Sequence, residues 1–379
     1  MNFLTPEQQL WKDTVDQVMQ DEITREYVRE CDIERKYPYE AYEKVARMGW
    51  LRLLVPEGNG GDGGSIFDYA LMCEGLARYG FDFATAFMVS TFTAMNICKF
   101  GTPEQKERFL PAFMKGDIRF SISISEPSAG SDAANTRTRS EETPEGWRIT
   151  GQKLWCSGAA ARNTVIAMLT RSDKAAAKHK GLTVLLVPND TPGLDIRRLP
   201  TMARRATGTT EIFADGAVVP FANVLGQPGD GWKIITDHLE LERIAVSAAY
   251  VGNAQQAVTD ALKYAHERIQ FDKPIYDFQV IRHMLADMQT AVDAARLMVY
   301  RAADLASRGE HCQREVSMAK LIASETLQTV TRNGMQIMGG HSMLPEADME
   351  RYFREGMQST IGGGTSQIQR TLIAKSLSL

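Results

Sequence analysis

The chain has 379 residues, of which 44% are hydrophobic and 24% are charged, and its formal net charge is −4. This length suffices for two or three globular domains, and the slightly negative charge argues against nucleic-acid binding as the main role. The first residues lack the basic and apolar regions of a secretory signal. No stretch approaches the roughly 18 uncharged apolar residues of a membrane span, so we expect neither secretion nor membrane insertion.

The cysteines and histidines bound the chemistry further. Five cysteines lie far apart and without C-x-x-C spacing, which is typical of reduced thiols and predicts a cytoplasmic protein. The six histidines are scattered and form no H-E-x-x-H pair. The sequence therefore predicts no metal site.

The first third of the chain has helical patterns. Thr5 followed by Pro6 predicts a capped helix start. Further segments share a helical pattern and cover 39–49, 66–79 and 103–115. Clustered glycines at 58–65 predict a loop between the helices at 39–49 and 66–79. We therefore expect an N-terminal helical domain over 1–120.

The pattern changes from about residue 120 onward. Five short segments rich in β-branched residues and bounded by turn residues predict strands. They begin at Arg119, Trp147, Asn163, Gly181 and Leu194. A helical pattern returns after about residue 231, with long stretches at 234–268 and 278–307. Runs of helices, strands and helices predict segregated layers, hence an α+β fold with domains over 1–120, 121–231 and 232–379.

Six short motifs occur in order along the chain. Ser125–Asp132 reads S-E-P-S-A-G-S-D, and Gly151–Ser157 reads G-Q-K-L-W-C-S. The others are M-A-R-R-A-T-G-T at 202–209, R-I-Q-F at 268–271, Q-I-M-G-G at 336–340 and G-T-S-Q-I-Q-R at 364–370. With these motifs the chain resembles the acyl-CoA dehydrogenase family over essentially its whole length. The resemblance implies a helical N-terminal domain, a middle β-barrel-like domain, a C-terminal helical bundle and FAD as cofactor.

A flavin needs a flat apolar wall and polar contacts at its pyrimidine edge. Trp155 can supply the wall, and the hydroxyls of Ser125 and Ser157 with backbone groups around Ile124 can supply the edge contacts. A lone strand tryptophan is more often a core residue, but the motif upstream favours the flavin interpretation. No G-x-G-x-x-G follows a strand, so a Rossmann nucleotide site is not supported.

The resemblance also assigns the flavin pyrophosphate. It implies that Arg268, in one motif with Phe271, holds this dianion together with Thr365 and Gln367. In the family, the arginine and the segment that matches Gln336–Gly340 reach the flavin of a neighbouring subunit, and the family is usually tetrameric. A plain helix C-cap remains the alternative for Gly339 and Gly340, and Ser342 and Met343 depart from the usual G-G-x-G-aromatic.

The family reaction removes the α-proton of a thioester and passes the β-hydrogen to the flavin as hydride. It needs a carboxylate base and donors on the thioester oxygen. In much of the family the base is the glutamate of a Y-E-G-T string, but here Gly362–Thr365 reads G-G-G-T. Isovaleryl and long-chain members carry the base on a helix in an L-E-R string, which Leu241–Arg243 matches. We therefore predict Glu242 as the base; an exposed helical charge is the alternative.

The resemblance implies further substrate contacts. The backbone N–H of Gly363 and a ribityl hydroxyl of FAD would bind the thioester oxygen. Glu240 would contact the pantetheine arm, Arg243 would support the active-site loop, and Ser131 is assigned to substrate binding. The small Gly362 favours an acyl group that is branched or bulky near the α and β carbons.

The electron acceptor implied by the resemblance is an electron-transfer flavoprotein, and the substrate an acyl-CoA. Three alternatives stay open. The chain could be a reductase of the crotonobetainyl-CoA type or an oxidase or monooxygenase on the same fold. It could also be a non-catalytic flavoprotein, against which Glu242 and the complete flavin set argue.

Overall fold

The computed structural model describes residues 4–377. Six helices come first: α1 Pro6–Asp21, α2 Arg25–Ile33, α3 Tyr39–Arg47, α4 Ile66–Leu76, α5 Phe81–Phe100 and α6 Pro103–Met114. The C-terminal helices are α7 Gly231–Glu267, α8 Gln279–Ser307, α9 Gln313–Met338, α10 Met349–Ser359 and α11 Ser366–Leu377. The predicted order of helices, strands and helices is confirmed.

Along the sequence, the strands come between these two groups of helices. They are β1 Arg119–Ser123, β2 Arg139–Thr143, β3 Gly146–Ser157, β4 Thr164–Arg171, β5 Leu182–Pro188, β6 Leu194–Arg198, β7 Thr209–Val219 and β8 Val224–Leu225. A two-stranded hairpin, β9 Ile269–Gln270 with β10 Lys273–Pro274, joins α7 to α8. The predicted starts of helix and strand agree closely with these bounds.

Local chemistry explains the first helix. The Thr5 hydroxyl accepts a hydrogen bond from the Gln8 N–H at 3.2 Å, and the Gln8 side chain accepts one from the Thr5 N–H at 3.0 Å. This reciprocal capping box satisfies two donors that a helix start otherwise leaves without partners. Pro6 occupies the first helical position, where its missing N–H costs nothing.

One mixed sheet contains all eight strands β1 to β8. Its order is β6-β7-β3-β2-β4-β5-β8, and β1 pairs with β4 in parallel. The central strands β4 and β5 are buried along almost their whole length, which agrees with their uninterrupted apolar sequences. The core includes Trp147, Ile166, Met168, Leu185 and Ile212.

The motif at 202–209 requires a correction. The family motif that these residues resemble forms a strand, but here residues 202–207 lie in bends and turns, and β7 begins only at Thr209. Arg198 donates from its guanidinium to the carbonyl of Arg205 at 2.6 Å, which stabilises the turn before the strand.

Contacts divide the chain into two compact units. The first unit comprises Met1–Ile33, Ser65–Ala84 and Arg243–Leu379, and within it α9 packs against α8, α10 and α11. The second unit comprises Glu34–Gly64 and Thr85–Glu242 and contains the eight-stranded sheet. The division into three consecutive domains remains a prediction.

Helix α5 passes a test that we expected no segment to pass. By length and composition alone Phe81–Phe100 could cross a membrane, and 83% of its apolar window is buried inside the protein. Buried core helices of soluble proteins have the same length and composition, so these properties of α5 are only weak evidence for a membrane span.

Candidate active site

Trp155 stands out of strand β3 on a bulge. Its neighbours Leu154 and Cys156 pair with the consecutive residues Glu211 and Thr210 of β7, so Trp155 has no partner in that ladder. Its φ is +65°, a conformation that costs free energy for a bulky residue, and its surface is 58% exposed. Trp155 is therefore not a core residue, and the bulge presents its indole as an accessible apolar face.

The predicted edge contacts lie beside this strand. Ile124 and Ser125 directly follow β1, and the Ser125 carbonyl accepts a hydrogen bond from the Leu154 N–H at 2.9 Å. Ser157 ends β3 and is half-buried, and its carbonyl accepts from the Ser121 hydroxyl at 2.8 Å. The structure thus brings Ser125 and Ile124 next to β3, and Ser157 ends the strand that carries Trp155.

A buried ion pair that the sequence analysis did not identify supports this region. Lys153 Nζ lies 3.0 Å from Glu126 Oε1 and donates to the Ile124 carbonyl at 3.0 Å. Burial lowers the pKa of Lys153, an effect that the Glu126 carboxylate partly offsets. Burial also raises the pKa of Glu126, but the ammonium of Lys153 and backbone N–H groups outweigh it, so this pKa lies below its ordinary value.

Glu126 also holds the backbone at the end of the loop that follows it in the sequence. Its carboxylate accepts hydrogen bonds from the N–H groups of Arg137 and Thr138 at 2.8 and 2.9 Å. Ser131, assigned to substrate binding, is exposed in this loop beside Asp132, which pairs with Lys178. The sequence did contain a signal for this ion pair, because Glu126 is the acid of the S-E-P motif and Lys153 is the lysine of the G-Q-K motif.

Glu242 is half-buried on α7. Its side chain is 20% exposed, and its Oε2 lies 3.4 Å from Nε2 of His238, one helical turn earlier. Glu240 on the same helix is also half-buried. Most helical glutamates are exposed, so the limited exposure of Glu242 favours a role beyond solubility. Sequence reasoning missed His238, although the H-x-x-x-E spacing puts both side chains on one helix face.

Arg243 contacts the glycine loop within the first unit. Its Nε donates to the Gly363 carbonyl at 3.3 Å, and Gln369 Nε2 donates to the carbonyls of Gly363 and Gly364 at 3.3 and 3.1 Å. Gly363 and Gly364 have φ values of +66° and +88°, which favour glycine. The geometry fits the loop-supporting role implied for Arg243.

Gly362 does not leave an empty space. A Cβ at this position would lie 2.2 Å from Nε2 of Gln358, so the Gln358 side chain fills the direction in which a larger residue would extend. An acyl branch could use this space only if the flexible Gln358 side chain moves, and the preference for such a group remains a prediction.

The C-terminal motif lines a cleft of about 440 Å³. Thr365 precedes α11, and its hydroxyl accepts from the Ile368 N–H at 3.2 Å. The lining residues are Glu325, Gln328, Thr329, Thr360, Ile361, Thr365, Ser366 and Gln367. Within residues 4–377 the buried Ser366 hydroxyl has no hydrogen-bond partner. Polar donors at a helix start fit an anionic group such as a pyrophosphate.

The remaining residues that the resemblance assigns to the cofactor lie on the surface of the chain. Arg268 and Phe271 are exposed at the β9–β10 hairpin, with Phe271 86% exposed at a φ of +52°. Gln336 is exposed on α9, and a Cβ at Gly340 would meet nothing within 4 Å. Gly339 caps α9. In the described part of the chain no hydrogen bond joins Arg268 to the cleft, so the implied contact with a neighbouring subunit remains a prediction.

Three family models together match most of the chain. They describe the acyl-CoA dehydrogenase N-terminal domain over residues 5–117, the middle domain over 121–217 and the C-terminal domain over 229–378. This chain belongs to the acyl-CoA dehydrogenase family, and it is an enzyme with the three-part fold of that family. The family and fold predicted from the sequence motifs are confirmed.

Two curated relatives match nearly the whole chain. A probable acyl-CoA dehydrogenase of Bacillus subtilis is 36% identical, and the match covers 100% of both chains. An acryloyl-CoA reductase (NADH) of Anaerotignum propionicum is 34% identical, over 99% of this chain and 95% of the relative.

Two solved structures have the same fold. Butyryl-CoA dehydrogenase from Megasphaera elsdenii superposes with a TM-score of 0.93 and 30% identity, covering 100% of both chains. An FAD complex of PigA also has a TM-score of 0.93, with 25% identity and full coverage of both chains. The predicted FAD cofactor agrees with the FAD complex of PigA.

Proposed function

We propose that the chain is an FAD-dependent acyl-CoA dehydrogenase in which Glu242 removes the α-proton of the thioester. The observation that carries the proposal is the exchange of base positions. Glycines occupy 362–364, where many members have their glutamate, and a half-buried glutamate stands at 242 on α7. The reaction requires a carboxylate base, and the L-E-R string around Glu242 supplies one at the position that the isovaleryl and long-chain members use.

FAD is the cofactor, and it supplies the acceptor for the β-hydride. The residues of the chain bind and orient it. Trp155, whose indole is exposed, would form the apolar wall, and the polar groups of Ile124, Ser125 and Ser157 would contact the pyrimidine edge of the flavin. We assign the pyrophosphate to Thr365, Gln367 and the buried Ser366 hydroxyl, with Arg268, Phe271, Gln336 and Gly340 acting across a subunit boundary.

The thioester oxygen needs donors because negative charge develops on it as the α-proton leaves. We assign this role to the backbone N–H of Gly363, with a ribityl hydroxyl of the cofactor. Arg243 and Gln369 hold the carbonyls of this loop and so fix its backbone. Glu240 is assigned to the pantetheine arm and Ser131 to the substrate.

Anaerobic titration with acyl-CoA tests the function. The purified protein should be yellow, and butyryl-CoA or isovaleryl-CoA should bleach its flavin. A colourless protein that takes up no FAD on reconstitution would end the proposal. Slow reoxidation by O2 and fast reoxidation by an electron-transfer flavoprotein support a dehydrogenase. Fast reaction with O2 favours an oxidase, and reduction of acryloyl-CoA with little reaction in the opposite direction favours a reductase.

The acyl preference is a further part of the proposal. We propose a branched or bulky acyl group, as in the isovaleryl-type members that share the small C-terminal loop. The amide of Gln358 lies beside Gly362, so an acyl branch that enters there displaces this flexible side chain. The test compares kcat/KM for isovaleryl-CoA and straight-chain valeryl-CoA. A clear preference for the straight chain contradicts the proposal.

We also propose a cytoplasmic homotetramer. Support comes from apolar side chains exposed on the single chain, among them Ile269, Phe271 and Met343, because a soluble protein buries such groups in interfaces. All five cysteines are free thiols, as expected in a reducing compartment. Sedimentation measures the assembly, and Phe271→Ser should weaken it. A monomeric wild-type protein contradicts this assignment.

A further inference from the structure

His238 lies in the interior of the second unit, between Asn96 of α5 and Glu242 of α7. Its side chain is fully buried, and its Nδ1 lies 2.8 Å from Asn96 Nδ2. Its other ring nitrogen, Nε2, lies 3.4 Å from Glu242 Oε2. Phe92 contacts the His238 ring edge to face, with the two ring centroids 5.5 Å apart. The imidazole is therefore held on three sides by side chains.

The contact with Asn96 determines which nitrogen of His238 carries the proton. An amide nitrogen only donates hydrogen bonds, so Nδ1 accepts and the proton of the neutral ring is on Nε2. The opposite amide orientation would put the Nε2 lone pair against the Glu242 carboxylate, which is repulsive when that carboxylate is ionised. An ionised base thus fits the observed orientation.

The Nε2–H group needs an acceptor. It is buried, and within residues 4–377 no atom completes a hydrogen bond with it. A buried donor without a partner is costly. Glu242 Oε2 lies 3.4 Å away, slightly too far for a good bond, and such contacts often shorten when substrate binds.

We infer that Asn96 and His238 form a buried relay that orients the carboxylate of Glu242 for proton abstraction. His238 is a positioning residue: it acts on the substrate only through the carboxylate of Glu242, whose Oε2 it faces from the buried side. This inference rests on the proposed role of Glu242 as the base. Supporting hydrogen bonds of this kind are worth about 10- to 100-fold in activity at metal sites, and we expect a similar factor here.

Stopped-flow reduction of the FAD-loaded enzyme by butyryl-CoA and isovaleryl-CoA tests the relay. His238→Phe keeps a ring and removes both nitrogens, so the reduction rate should fall about 10- to 100-fold, with little change in acyl-CoA affinity. His238→Gln restores a donor close to the position of Nε2 and should recover most of the rate. Asp237→Asn changes the half-buried neighbouring residue on α7, which pairs with Lys99, and serves as the control.

A double-mutant cycle separates this inference from the proposed function. In the Glu242→Gln background the His238→Phe change should have no further effect, because the relay acts through Glu242. An equal loss in both backgrounds, or wild-type rates for His238→Phe and Asn96→Leu, would overturn the relay. If Glu242→Gln alone reduces at the wild-type rate, the proposed base fails instead.

Nitrogen NMR of the 15N-histidine-labelled holoenzyme reports which ring nitrogen of His238 is protonated. This measurement does not depend on activity or on whether His238→Phe folds. His238 is assigned from the signals lost in His238→Gln. Protonated Nε2 with unprotonated Nδ1 is expected. Protonated Nδ1 with a bare Nε2 would contradict the relay.

Discussion

At the residue scale, the region beside β3 depends on one buried pair of charges. Lys153 and Glu126 lose their hydration together, and each neutralises the buried charge of the other. Lys153 also donates to Ile124, so a change at the lysine reaches the backbone that we assign to the flavin edge. Such a pair adds little net stability but is costly to break.

Lys153→Met should therefore reduce both stability and FAD content. The buried Glu126 carboxylate would lose its cation, at a cost of about 3–5 kcal/mol. Lys178→Met is the matched control, because Lys178 pairs with Asp132 where both side chains are about half exposed. That change should stay within about 1 kcal/mol. Thermal unfolding and flavin absorbance measure the two effects, and equal stability of the two variants would contradict this account.

Glu355 makes stability depend on pH. Burial raises the pKa of Glu355 to about 8, helped by the carboxylates of Asp82 and Asp32 and opposed by Arg351. In the unfolded chain this carboxyl has its ordinary pKa of 4.5. Above that pH it ionises more readily in the unfolded chain than in the folded one, which favours unfolding. The contribution of Glu355 to stability is therefore fully present at low pH and declines as pH rises from about 4.5 to about 8.

Glu355→Gln tests this directly, because an amide does not ionise. The unfolding free energy of the variant minus that of the wild type should increase between pH 5 and pH 8, measured by denaturant titration at each pH. Taking the difference cancels groups that titrate alike in both proteins. A difference that does not change with pH would show that the Glu355 pKa is not raised.

At the element scale, local patterns predicted about half of the helices and strands because capping and turn residues act over a few positions. The capping box at Thr5 and the β-branched runs of β4 and β5 are examples. The bounds of α5 could not be predicted from periodicity, since it is apolar on nearly all sides. The bulge at Trp155 depends on the pairing of β3 with β7, which no local pattern reveals.

Helices α7 and α4 approach each other closely at Gly252 within the first unit. A Cβ at this position would lie 1.9 Å from the Glu74 carbonyl oxygen. Gly252→Ala should destabilise the protein by about 1–3 kcal/mol, although alanine is favoured over glycine in a helix by about 1 kcal/mol. Gly58→Ala, which meets nothing within 4 Å, is the control. A more stable Gly252→Ala would contradict the close contact.

At the scale of the whole molecule, the sequence motifs predicted the family, fold and cofactor but not the compact units. Ser65–Ala84 joins Arg243–Leu379 in one unit although a long stretch of chain separates them. Such contacts leave no periodic signal in the sequence. The candidate base was predicted from an L-E-R string and an absent glutamate, whereas His238 became apparent only from its distance to Glu242.

The most direct test of the account is anaerobic flavin reduction by Glu242→Gln. The amide keeps the shape of the side chain and removes the proton acceptor. We predict that the variant retains FAD and binds acyl-CoA, while its flavin is reduced about 10²- to 10⁴-fold more slowly than in the wild type. Reduction at the wild-type rate would show that Glu242 is not the base.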